Sequence, residues 1–340
     1  MRSAAAAVIL AVVGASCERA GSTTADDQPP IPEHRDVRVH RLVAEYLACW
    51  DAYNVSDWER YERCFEVDVE VEVPGLQPTH DLATAISNAK RFREAHPLAY
   101  AEPRFVLATD DKIRSIVRLH GVAADPTVGF YIAHDVGLGS HDRVRYDSTY
   151  FDAAMANAGT SEPPWIDWKG LRVVVPLEPL LEDNAFLVAQ LARAWGDQGR
   201  EHPRPLRPLL ADNLVWSEAW LDRPLDPAML QAQLQVLDTD VDPPNMNIHN
   251  VSYCGEYVGV EGTFHWRRFP DLPAIGYHGK KKDRERAEVP FMGFFKVVNG
   301  KLTAVSLFWQ SSSLTTQLGV PPLTHPIRPL SRSPSDLHPR

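Results

Sequence analysis

Residues 291–309 read FMGFFKVVNGKLTAVSLFW, two apolar runs hinged on Asn299-Gly300. Asn-Gly between β-prone runs is a strong hairpin signal, because the tight turn needs positive φ at both central residues. Strands are therefore predicted at Phe291–Val298 and Leu302–Trp309. Working outward, further strand-like runs lie at Leu214–Trp220, Ile248–Cys254 and Tyr257–Phe264. Apolar residues at helical spacing mark helices over Glu182–Trp195 and over Pro227–Leu237, the second capped by Asp226.

The first half repeats this order. Helical periodicity covers Arg35–Tyr53, a second helix starts at Asp57 with Ser56 as its cap, and a third covers Asp81–Ala95. Val67–Val73 alternates strictly and predicts a half-buried strand. Strands follow at Ala101–Ala108, Ile113–His120, Val128–Val136 and Arg143–Phe151. Recurrence of one element order along the chain is an internal repeat. At roughly 150 residues per domain, the 340-residue length gives the same count of two. Helices gathered on one side of an antiparallel sheet define an α+β fold. A strongly curved sheet wrapped on its helices makes a cone, so two cones in tandem are expected.

Composition removes several classes. At 44% hydrophobic and 24% charged residues the chain is globular, not disordered or fibrous. A net charge of −10 argues against nucleic acid as a partner and against electrostatic docking on anionic lipid. No phosphate loop, dinucleotide fingerprint, nucleophile elbow or zinc-protease motif occurs. No cofactor and no metal is expected.

Residues 1–16 form a signal-peptide pattern, with Arg2 ahead of a short apolar stretch around Val8, Ile9 and Leu10. Gly14-Ala15-Ser16-Cys17 is similar to a bacterial lipobox, which makes Cys17 the candidate lipidation site. Residues 17–35 are polar and Pro-bearing, as in a flexible tether. The protein is thus expected in the periplasm or cell envelope, with the membrane engaged only through a lipid anchor. Cys49 and Cys64 fall on consecutive predicted helices. A disulfide in an oxidising compartment and two buried thiols are both open, and buried thiols are the reading preferred.

The second-half hairpin runs on into Gln317-Leu318-Gly319. Together with Gly262-Thr263-Phe264-His265 and the Phe269–Gly276 segment, it resembles the terminal hairpin and Gly-Thr-His segment of SnoaL-like proteins in the nuclear transport factor 2-like superfamily. Arg118-Leu119-His120-Gly121, Asp125–Gly129 and Asp142–Asp152 form a shorter echo in the first half. The resemblance implies SnoaL-like domains at 36–160 and 182–320; the Pro- and Trp-rich composition between them reads as a linker at 161–181, and the Pro-rich end as a loose tail at 321–340. The resemblance also implies a pocket inside each cone, and a strand His with an Asp on the last strand catalysing cofactor-free ring closure in the family's polyketide cyclases.

On that resemblance His120 and Asp152 are the candidate catalytic pair, with Asp147 a nearby substitute on the opposite sheet face. Second-half counterparts are His265 and Gln310, and Gln cannot act as a base. Pocket walls are expected from Tyr131, Tyr150, Phe264, His265, Trp266, Trp309 and Gln310. His134-Asp135 and His141-Asp142 read as a solvated hairpin tip, and the charged run Lys280–Arg286 reads as a loop. The resulting expectation is an exported protein that binds a small apolar or aromatic molecule without turning it over. The alternative is a cyclase or isomerase using a His–Asp pair. The tandem repeat further predicts that the halves pack as an intramolecular pseudo-dimer through their outer sheet faces.

Overall fold

The computed structural model describes residues 35–73, 77–122, 129–139, 141–152, 171–174, 182–196, 205–218, 221, 223–231, 245–266, 286–321 and 323. The signal segment, Cys17, the tether up to residue 34, residues 280–285 of the charged run and nearly all of the tail lie outside them. Helix α1 (Arg35–Asn54) buries Val39, Leu42, Val43, Tyr46, Trp50 and Tyr53, a stripe at three- and four-residue offsets. A short α2 (Trp58–Glu62) follows. Asp57, not Ser56, caps it by accepting from Arg60 N at 3.1 Å, while Ser56 takes the left-handed turn at φ 59°. Asp81 caps α3 (Leu82–Ala95) through Thr84 N at 2.7 Å.

The first sheet contains β1 (Phe65–Glu72), β2 (Tyr100–Ala108), β3 (Lys112–His120), β4 (Gly129–Leu138), β5 (Val144–Tyr150) and β6 (Arg172–Val174). Their order is β1-β5-β4-β3-β2-β6. Strand β6 comes from the segment expected to be pure linker, and it pairs parallel with β2 from Phe105↔Arg172 to Leu107↔Val174. The alternation of β1 is broken by a register shift between Phe65 and Glu70, so Val69 and Val71 are buried while Val67 is 80% exposed.

The second half has α4 (Glu182–Gly196), β7 (Leu210–Glu218), β8 (Asn245–Cys254), β9 (Tyr257–Trp266), β10 (Ala287–Val298), β11 (Lys301–Trp309) and a short α5 (Ser311–Gln317). Its order, β7-β11-β10-β9-β8, reproduces β1-β5-β4-β3-β2 strand for strand, including the parallel pairing of first with last. Each half is therefore an α+β cone, a curved sheet whose inner face is covered by its long helix. Asn299 and Gly300 make the predicted turn at φ 51° and 69°.

The cores separate by strand parity. Inward residues of the first sheet, such as Ile113, Val117, Phe130, Ile132 and Val136, pack with α1 and α3. Outward residues of both sheets share a third layer: Phe105, Leu107, Ile116, Tyr131, Ala133 and Tyr150 meet Cys254, Tyr257, Met292, Phe294 and Phe308. Arg172 of β6 stacks over the Tyr257 ring at 4.8 Å.

Cys49 and Cys64 form a disulfide, Cα–Cα 6.4 Å, where two thiols were the preferred reading. The turn between α1 and α2 folds the end of α2 back beside α1 and brings the pair within bonding reach. Closing a loop across a 15-residue separation is worth about 3 kcal/mol in chain-entropy terms. The Cys49→Ala/Cys64→Ala protein is expected to lose most of that in urea unfolding. An unchanged midpoint would remove the staple from the list of stabilising features. Cys254 is buried in the layer between the sheets and takes part in no disulfide.

Candidate functional site

The inner face of the first sheet carries a polar row in an otherwise apolar surface. Ser115 on β3 is the register partner of His134 on β4, and His134 is the partner of Thr149 on β5. Asp147, two residues before Thr149, points the same way. From above, α1 lowers Tyr46 and Trp50, one helical turn apart, onto this row. Tyr46, Ser115, His134 and Asp147 are fully buried, and Thr149 and Trp50 are 2% exposed.

His134 Nδ1 lies 3.1 Å from Asp147 Oδ1 and 3.4 Å from Thr149 Oγ1. A carboxylate oxygen accepts, which makes Nδ1 the donor side of this contact. His134 Nε2 has no hydrogen-bond partner among the described residues. The indole edge of Trp50 packs against the same imidazole, centroids 5.4 Å apart, and its Nε1 lies toward the Tyr46 hydroxyl. An orphaned buried polar atom costs about 1–3 kcal/mol, so His134 Nε2 calls for an explanation. The Tyr46 hydroxyl is hydrogen-bonded to Ser115 Oγ. Burial pushes the Tyr46 phenol well above its usual range, with Asp147 adding to the effect, so it stays protonated. Tyr53 and Tyr61 are raised by burial as well. With Phe65 they form a continuous aromatic wall, successive centroids 5.7 and 5.2 Å apart.

The sequence-derived pair is not brought together. His120 shares strand parity with Arg114 and Ile116, so it faces outward, where Nε2 lies 3.1 Å from Glu102 Oε2. Asp152 follows the outward Tyr150 by two residues. Its carboxylate accepts from Ser311 N at 3.2 Å and from Ser311 Oγ at 2.8 Å, across to the second half. Tyr131 and Tyr150 also face outward, into the layer shared by the two sheets. Phe264, Trp266 and Trp309 point into the second cone, where Phe264 stacks on Phe291 at 4.3 Å. His265 faces outward beside Glu288 at 3.7 Å, and Gln310 precedes α5 without a side-chain cap bond. Nor is His134-Asp135 a solvated tip. Both lie in β4 at 0% exposure and on opposite faces. The signal was available: Phe130, Ile132, His134 and Val136 alternate, which places His134 on the apolar side.

Strand register aligns the two cones. Val71, bridged to Thr79, pairs with Asp147, and Trp216, bridged to Leu225, pairs with Val305. Following the ladders from there, Val305 stands for Asp147, Leu307 for Thr149, Gly293 for His134 and Val260 for Ser115. Every polar group of the row is thus replaced. Trp195 and Trp216, stacked at 4.9 Å, occupy the second cone. Among the described residues no group of three metal-ligating side chains occurs.

No family model matches the sequence. No curated protein matches it either. Solved structures do. A candidate SnoaL-like polyketide cyclase from Jannaschia sp. CCS1 is 18% identical at TM-score 0.36, spanning 43% of this chain and 98% of that one. IdmH, a candidate polyketide cyclase from Streptomyces antibioticus, is 16% identical at TM-score 0.34, spanning 40% and 99%. An epoxide hydrolase from Mycobacterium tuberculosis is 16% identical at TM-score 0.32, spanning 40% and 90%. At these identities and scores the likeness carries no argument about this chain.

Proposed function

We propose that the first cone takes a small apolar or aromatic molecule bearing a carbonyl group and moves a proton on it, with His134 as general base. The observation that carries this is the buried His134 ring, held by Asp147 on Nδ1 and left with a free Nε2. Proton abstraction beside a carbonyl needs such a base and a donor for the enolate oxygen, and requires no metal or cofactor. The second cone, apolar at every matched position, has a binding or architectural role. Simple binding in both cones, without turnover, is the competing reading.

Deuterium uptake from D2O at the carbon next to the carbonyl, followed by NMR over a panel of cyclic and aromatic ketones, separates the two. Wild-type exchange should exceed buffer. Asp147→Asn should lower it on the order of 10²–10⁴-fold while ligand quenching of tryptophan fluorescence persists. Binding without exchange across the panel would favour the binding protein. Absence of both would end the proposal.

Export with lipidation at Cys17 is proposed alongside. The Cys49–Cys64 disulfide supports it, since such bonds persist in oxidising compartments. A fatty-acid probe should label the wild type and not Cys17→Ser. Equal labelling would refute the anchor.

A further inference from the structure

The strand rungs that carry the polar row have a reverse side. Ser115↔His134 is one rung of the β3–β4 ladder, and Arg114↔Asp135 is the rung beside it. Because side chains alternate, the first pair faces the cone interior and the second faces the other half of the molecule. Arg114 and Asp135 are both completely buried. Arg114 Nε donates to Asp135 Oδ1 at 2.9 Å, and Lys112 Nζ donates to Asp135 Oδ2 at 3.1 Å, so both carboxylate oxygens are engaged. Arg114 Nη1 then reaches across and donates to the carbonyl of Gly259 on β9 at 2.6 Å.

Register gives this contact a further meaning. Val260 stands for Ser115, so Gly259 stands for Arg114. The guanidinium therefore meets the backbone of its own repeat counterpart. There is space for one side chain only: a Cβ on Gly259 would lie 2.9 Å from Arg114 Cδ and 3.0 Å from Leu107 Cδ2.

We propose that Arg114 is a positioning residue for the His134–Asp147 pair, tying the backs of the two strands that present Ser115 and His134 to the fixed β9 backbone of the second half. The proposal rests on reading that pair as the functional site. The Cα atoms of His134 and Asp135 are one peptide apart, about 3.8 Å, so a shift of Asp135 is passed directly to the imidazole. A misplacement of about 1 Å in a reacting constellation can cost 10²-fold in rate. On this view the second half, whose own cone lacks the polar row, acts on the first cone through the shared sheet layer.

The test uses the full chain with histidine 15N labelling. Gly259→Ala changes only the second half but displaces Arg114. It is expected to move the His134 ring-nitrogen chemical shifts away from their wild-type positions. In the deuterium-exchange assay kcat should fall by about tenfold or more with KM nearly unchanged. Arg114→Lys, which keeps the charge and loses the fork, should shift His134 in the same sense, and it supplies the answer if the alanine variant fails to fold. Wild-type His134 signals in a folded Gly259→Ala or Arg114→Lys protein would overturn the proposal. If His134 responds but no ketone exchanges, the tie stands and the proton-transfer reading falls. If exchange occurs and His134 does not respond, the reading stands and the tie falls.

Discussion

Asp135→Ala is expected to destabilise the protein by roughly 3–5 kcal/mol in urea unfolding, because it leaves Arg114 buried without its carboxylate. Arg114 and Asp135 are both at 0% exposure, so water cannot take over the lost contact without opening the layer between the sheets. Most of that cost is an orphaned charge and not the net worth of the ion pair. The double variant Arg114→Met/Asp135→Leu should therefore recover most of the loss, and failure to recover would mean that the pair itself is strongly stabilising. The dependence on pH has a definite sign. Burial raises the Asp135 carboxyl, but Arg114 and Lys112 outweigh it and hold it below its ordinary value. Its contribution is present above the usual carboxylate range and is lost as pH falls through the lowered value. Glu261, reached by the Tyr150 hydroxyl at 3.4 Å, behaves oppositely: burial and the neighbouring Asp135 raise it. Its contribution is present at acid pH and is lost as pH rises through the raised value. Glu261→Gln should accordingly flatten the decline in stability between mildly acid and neutral pH. An unaltered pH profile in that variant would contradict the assignment.

The fold was legible because its signals are local and periodic. Asn299-Gly300 has the positive-φ chemistry of a tight hairpin, and the helical stripe from Val39 to Tyr53 is the face that becomes buried. The β1 bulge was not legible, since strict alternation of Val67, Val69 and Val71 says nothing of a register shift imposed by the neighbouring β5. Strand β6 was hidden for a related reason: three residues carry no period, and their pairing is decided by the open edge of β2. The disulfide depended on how tightly α2 folds back on α1, which spacing alone leaves open.

The residues named from the resemblance and the buried His134–Asp147 pair lie on opposite faces of one sheet. Family resemblance led to His120 and Asp152, whose outward parity became plain only once Arg114, Ile116 and Tyr150 were seen between the two sheets. Asp147, weighed as a substitute for Asp152, is the carboxylate that holds a histidine. That histidine, His134, stands next to Asp135 and near two glycines, as a turn would have it, yet it alternates with Phe130, Ile132 and Val136 on the buried face. A polar residue on an apolar stripe is the more informative observation, since it must find a partner or leave an atom unsatisfied.

Duplication within one chain permits an arrangement that two identical subunits could not adopt. Arg114 faces Gly259, its counterpart, and the glycine leaves room for a single guanidinium. In a dimer of two first halves the same point would hold two arginines, side by side and out of water. Gly259→Arg recreates that collision inside the full chain. A Cβ there already approaches Arg114 Cδ to 2.9 Å, and the added charge would be repelled by Arg114 with no second carboxylate on its own rung, where Phe294 stands. An unpaired buried charge costs several kcal/mol, more than the shared apolar layer can absorb by small shifts. Gly259→Arg is expected to part the two sheets: the single thermal transition should split, and the radius from small-angle scattering should rise. A folded Gly259→Arg protein with wild-type radius and one transition would show that the two halves do not meet through these rungs.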